Sequence, residues 1–194
     1  MGHFTKPRLS LRAAILLSLT LVAATAVVLL WLGRIPICNC GYVKFWHGGR
    51  NDAEVSQHLT DWYTYSHVLH GVVFYWLLWA IFRGRLSVAA RLVLAVLIEG
   101  AWEILENTSF IINRYRTQTI SLGYTGDSVI NSVSDMLAMI AGFLVASRLP
   151  AWVMVMLVIA TEAALLYLIR DNLLLNIVML LYPLEWIRQW QAGG

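Results

Sequence analysis

The stretch VAARLVLAVLIEGAWEILEN, Val88–Asn107, decides how this chain is read. It is apolar and long enough to cross a bilayer, which takes about 20 residues. Yet it carries Glu99, Glu103 and Glu106 at i, i+4 and i+7, so a helix lines them up on one narrow face. One charge at the centre of a spanning helix costs about 2.5–3.5 kcal/mol on insertion scales. Three on one face require cationic partners, protons or water, and so mark a functional site.

The rest of the 194 residues agrees with a membrane setting. The chain is 59% hydrophobic and 13% charged, against roughly 25% charged in soluble domains, and its mean hydropathy is +0.68. The expectation is an all-α polytopic bundle, one integral membrane domain over 1–194 with about six spans. These run 13–32, 65–82, 88–107, 128–146, 152–169 and 173–187. The first resembles a signal peptide but reads as an uncleaved anchor, because the apolar run is long and no small-x-small site follows. Between the third and fourth spans, 108–126 mixes apolar and polar residues and reads as a short re-entrant or interfacial segment. The net charge of +3 does not argue for nucleic acid, since most arginines flank apolar runs.

With the N-terminus inside, Lys6, Arg8, Arg12, Arg83, Arg85, Arg91, Arg148 and Arg188 fall on the inner side. Arg34, Lys44, Arg50, Arg114, Arg116 and Arg170 fall on the outer side. That bias, with aromatic belts at Trp31, Trp62 and Tyr63 outside and Trp79, Trp152, Trp186 and Trp190 inside, predicts both termini in the cytoplasm.

In that topology independent segments bring ionisable groups to one depth. His67 and His70 lie in the first turns of the second span, Glu103 and Glu106 near the outer end of the third. Asp127, Asn131 and Asp135 descend the fourth at i, i+4 and i+8. His58 and Asp61 precede the second span, and Arg114 and Arg116 sit in the following outer loop. Imidazoles with carboxylates from neighbouring helices are how bundles hold divalent metals. The expected ligand set is His67, His70, Glu103, Glu106 and Asp127, with Glu99 and Asp135 deeper as proton carriers or support. His58, Asp61, Asn131 and the two arginines are expected to bind substrate, the arginines through phosphate.

Three functions are open on these residues: an enzyme acting on a lipid or lipid-linked phosphate with one divalent ion, a proton-coupled transporter, or an assembly protein whose polar core only fixes packing. Membrane lipids are the expected partners. Glu162 extends a proton path or hydrogen-bonds across helices. His3 and His47 read as solvated loop residues. Cys38 and Cys40 are too few for a disulfide framework; they bind a soft metal, are redox-active, or remain free thiols in a tight turn.

SQHLTDWY (Ser56–Tyr63), SHVLHG (Ser66–Gly71), WEILEN (Trp102–Asn107), RYR (Arg114–Arg116), GDSVINS (Gly126–Ser132) and RDNLLLN (Arg170–Asn176) follow one pattern. On these the chain resembles, from Cys38 to Gln191, an uncharacterised bacterial multi-pass membrane family known as a domain of unknown function. It departs at Glu54-Val55-Ser56, where the pattern has an asparagine before Ser-Gln-His. The resemblance implies the bacterial inner membrane, with the outer side periplasmic, and implies no activity. Paired adjacent glutamates of the intramembrane prenyl proteases do not occur.

Overall fold

A computed structural model describes residues 9–83 and 85–193. Lys6 and Arg8, placed above among the inner basic residues, lie outside them, as does His3. The described residues form eight helices: α1 (Leu11–Trp31), α2 (Thr64–Phe82), α3 (Val88–Glu106), α4 (Ser109–Gln118), α5 (Val129–Ala146), α6 (Ala151–Ile169), α7 (Leu173–Leu181) and α8 (Glu185–Ala192). Four of them, α1, α2, α5 and α6, are long and apolar enough to cross a membrane. The α3 helix has the same length, and its acids set it apart.

The helix starts follow local chemistry. Ser10, Ser87, Thr108, Ser128 and Asn172 each turn a side-chain oxygen to the amide three residues on, satisfying a donor that has no partner inside its helix. The α6 helix ends at Arg170, whose φ of 56° is the left-handed turn that reverses the chain.

The centre of the bundle is the crossing of α2 and α5. At Gly71 an added Cβ would overlap the carbonyl oxygen of Met139, and at Gly142 one would overlap that of Val68. Two glycines therefore let two backbones touch, as small residues do between membrane helices. The α3 helix packs beside this pair, with α1 behind it, where Gly100 leaves room for the buried Thr25. Around the crossing, Leu78, Ala95, Val96, Met136, Met139 and Phe143 form the main apolar core.

The expected sixth span is not one rod. It breaks at Tyr182–Leu184, where Pro183 has no amide to continue the ladder. The nine residues of α7 rise only about 14 Å, too short for a bilayer. The α8 helix then returns: Gln191 Nε2 donates to Asp171 Oδ1 at 3.1 Å, and Arg170 donates to the Trp190 carbonyl at 3.0 Å. So α7 and α8 form a hairpin whose end meets its start. It packs on α4 through Ile111, Tyr115 and Leu180.

Candidate functional site

Because α2 is pressed onto α5 and flanked by α3, the histidines one turn apart on α2 reach Glu99. His67 Nδ1 lies 2.6 Å from Glu99 Oε1, and His70 Nδ1 lies 3.2 and 3.1 Å from its two oxygens. Glu99 is fully buried, and these histidine contacts are its side-chain hydrogen bonds among the described residues. An ionised carboxylate only accepts, so both Nδ1 atoms carry hydrogens. Both Nε2 atoms are thereby left open, the arrangement by which carboxylates orient working imidazoles.

His67 and His70 both line a cavity of about 740 Å³. Its polar wall also holds Tyr63, Glu106, Tyr115, Tyr124, Asp127 and Asp135, with Arg50 and Arg114 among its cations. Its apolar lining includes Phe74, Ile98, Trp102, Leu105, Ile177 and Leu180. Asp135 Oδ2 sits 3.9 Å from His67 Nε2.

The carboxylates of the stripe have different fates. Glu103, 1% exposed, lies 3.4 Å from His67 Nδ1, but neither of its oxygens has a hydrogen-bond partner. Glu106 is half-buried in the cavity wall. Asp127 is clasped: its amide donates to Asn107 Oδ1 at 2.7 Å, and its oxygens accept from Asn107 Nδ2 at 2.8 Å and the Tyr124 hydroxyl at 2.9 Å. Burial pushes the Asp127 carboxyl above its usual range, and those two donors oppose it.

Of the five residues expected to share one metal, His67 and His70 come within reach of a common ion, and the carboxylate that joins them is Glu99. Residue spacing gave the depth of each group, but Glu99 reaches both histidines, most closely His67. Glu103, one turn higher on α3, is carried past them toward α5.

The substrate residues expected in the loops divide similarly. Arg114 lines the cavity, but its guanidinium also donates to the Leu180 and Leu181 carbonyls, closing the end of α7. Arg116 is exposed. His58, Asp61 and Asn131 are not among the residues described in the cavity wall. Asp61, 2% exposed, accepts the amides of Ser56, Tyr63 and Thr64, so it folds the loop and starts α2. Burial raises its carboxyl against those donors. Asn131 Nδ2 holds the His58 carbonyl at 2.9 Å.

A second ring of groups stands above the site. His47, Glu54 and His58 come within reach of one ion. His47 is buried against Asp52 rather than solvated, with Nε2 at 2.9 Å from Oδ1. Here the hydrogen bonds are already complete. The Lys44 amide donates to His58 Nδ1 at 3.2 Å, so His58 Nε2 carries the hydrogen and gives it to Glu54 at 2.9 Å. Lys44 Nζ lies 2.6 Å from the same carboxylate. His58 thus has no lone pair for a metal. Lys44 first, then His58 and Tyr42, hold the Glu54 carboxyl down at about 2.

Cys38 and Cys40 are joined in a disulfide, which removes the free-thiol and soft-metal expectations. Local backbone geometry brings Cys38 and Cys40 together, and residue spacing alone did not show it. Glu162 accepts the amides of Leu173 and Leu174, both at 3.1 Å, and so caps the positive end of α7 rather than extending a proton path.

Several wall residues are not singled out by the sequence reading: Arg50, Tyr63, Tyr115, Tyr124 and Asn176. Tyr115 donates to Asn176 at 2.9 Å and Tyr63 to Asp171 at 3.3 Å. Both partners lie in RDNLLLN, Asp171 and Asn176 flanking its apolar triplet.

A family model described as "Protein of unknown function (DUF2585)" matches residues 29–193. A UPF0314 protein of Paracoccus denitrificans is 58% identical over 172 residues, 89% of each chain. Another, from Sphingopyxis alaskensis, is 50% identical over 183 residues, covering 94% of this chain and 97% of its own. A third, from Agrobacterium fabrum, is 54% identical over 165 residues, 85% and 83% of the two chains. No solved structure matches. With near-complete coverage at this identity, the chain belongs to the UPF0314 (DUF2585) family of bacterial proteins.

Proposed function

We propose that this is a multi-pass protein of the bacterial inner membrane, and that its cavity is the site of an enzyme acting on a lipid or lipid-linked phosphate from the periplasmic side. One observation carries this. A single cavity is lined by apolar side chains of α2, α3, α4 and α7 together with two oriented imidazoles, carboxyls and the cations Arg50 and Arg114. An amphiphile matches both kinds of lining at once. In this mechanism His67 and His70 exchange protons with the substrate through Nε2, while Glu99 fixes their rings. Glu106 and Asp127 face the reacting group, and Arg114 with Arg50 attracts its anionic head. Arg116, at the surface, guides approach.

The topology has five crossings: α1, α2, α3, α5 and α6. The α4 helix and the α7–α8 hairpin lie at the outer interface, so the C-terminus faces the periplasm rather than the cytoplasm. Moving Arg188 outward evens the basic count. The orientation then rests on the Cys38–Cys40 disulfide, which belongs in an oxidising compartment.

A proton-coupled transporter would need polar groups below Glu99. Around Glu99 the packed residues Ala95, Val96, Met136, Met139 and Phe143 are fully buried and apolar, and the buried Arg91 further in is held by the Tyr75 carbonyl at 3.1 Å rather than by a carboxylate. The test is the lipid composition of cells lacking the protein, with complementation by wild type and by His70→Ala. One polar lipid or lipid-linked phosphate should accumulate in the deletion and persist with His70→Ala at normal protein level. An unchanged profile refutes the enzyme. Restoration by His70→Ala favours an assembly role.

A further inference from the structure

Four buried oxygen atoms near His67 have no hydrogen-bond donor: Glu103 Oε1 and Oε2, Asp135 Oδ1 and Asn131 Oδ1. Glu103 and Asn131 are each 1% exposed and Asp135 4%. The Asn131 amide cannot resolve its own case by turning over. Its Nδ2 already donates to the His58 carbonyl, and a flip would set oxygen against oxygen. Its Oδ1 is therefore a fixed acceptor with nothing to accept.

Asn131 and Asp135 are one turn apart on the same face of α5. Asn107 on α3 meets Asp127 and Ser132 at the top of α5, so Glu103, one turn below Asn107, descends to their level. His67 ties the two sides, standing 3.4 Å from Glu103 and 3.9 Å from Asp135. With both carboxyls ionised, none of these four acceptors has a donor. Unmatched buried acceptors are costly, because each has given up its water without gaining a donor.

We propose that Glu103, Asp135 and Asn131 form a binding site for one hard divalent cation of the Mg²⁺, Mn²⁺ or Ca²⁺ class. Oxygen-only donors favour such ions over zinc or copper, and two carboxylates balance a double charge. The ion reaches the site through the cavity, whose wall includes Asp135, and water completes its coordination. This site uses neither the Glu99 oxygens nor the imidazole nitrogens as ligands, and it stands whatever the cavity's substrate is. The ring of His47, Glu54 and His58 makes the contrast: there both His58 nitrogens and the Glu54 carboxylate already have hydrogen-bond partners.

The test is Mn²⁺ binding to chelator-stripped protein in detergent, read by loss of the free-ion magnetic resonance signal. Wild type should bind one Mn²⁺ per chain, displaced by Mg²⁺ or Ca²⁺. Glu103→Gln and Asp135→Asn should each weaken binding at least about tenfold, while His70→Ala leaves it unchanged. Failure of wild type to bind, or binding as tight as wild type in either carboxamide variant, overturns the site. Loss of binding in His70→Ala also overturns it, by moving the ion to the imidazoles. Should both carboxamide variants fail to fold, wild type still decides, because Mg²⁺ must raise its unfolding temperature. An unmoved unfolding temperature counts against the ion.

Discussion

Gly71 on α2 and Gly142 on α5 bring two backbones into direct contact, and His67 and His70 owe their positions to that contact. A methyl group at Gly71 has to push α5 away. Gly71→Ala should therefore lower stability by about 1–3 kcal/mol, the usual cost of overpacking. Gly123→Ala, where an added Cβ meets nothing, should be neutral. Thermal unfolding in detergent compares the two; equal curves would mean that α2 and α5 stand apart.

Glu99 holds both imidazoles by Nδ1. Glu99→Gln keeps the volume but offers a single acceptor oxygen, so one ring loses its anchor. Activity on the cavity's substrate should fall by about 10–100-fold, as it does when supporting ligands are removed. Nitrogen chemical shifts of labelled histidine should show the Nδ1–H form in wild type and a mixture in the variant. Identical spectra would contradict the bridging role.

Asp171 ties the hairpin to its own start, and burial raises its carboxyl from 3.8 to about 6. A raised acid binds its proton more tightly in the folded state. Its contribution is therefore most favourable below pH 3.8 and is lost as pH rises through about 6. The difference is about 3 kcal/mol at 1.36 kcal/mol per unit. Asp171→Asn should flatten the pH dependence of stability across that window. A variant retaining the wild-type slope would assign it to another group.

Glu54 has the opposite sign. Its lowered carboxyl supports the loop fully above pH 4.5 and releases it as pH falls toward 2. Proteolysis of the segment around Glu54 should therefore accelerate only in acid. Glu54→Gln should make it pH-independent there and faster at neutral pH.

The hairpin places the chain's last described residues beside Arg170. A cysteine at Ala192, in a background with Cys38→Ser and Cys40→Ser, should react with a membrane-impermeant maleimide in spheroplasts. Labelling only after lysis would restore the sixth crossing.

Read from the sequence alone, the acidic stripe in Val88–Asn107, the apolar runs on either side and the spacing of His67 and His70 already put an all-helical chain and a shared polar layer within reach. Those are properties of periodicity and transfer energy, which each segment carries by itself. Pro183 was also visible, yet its consequence depended on Gln191 finding Asp171, a contact between residues that no local pattern relates. The same holds for the carboxylates. Spacing put Glu99, Glu103 and Glu106 on one face, but the glycine contact of α2 with α5 set how far α3 slides past the histidines. That slide made Glu99 their anchor and left Glu103 facing Asp135 and Asn131. Partner choice among identical side chains is a matter of angstroms, and only the packing of three helices against one another decides it.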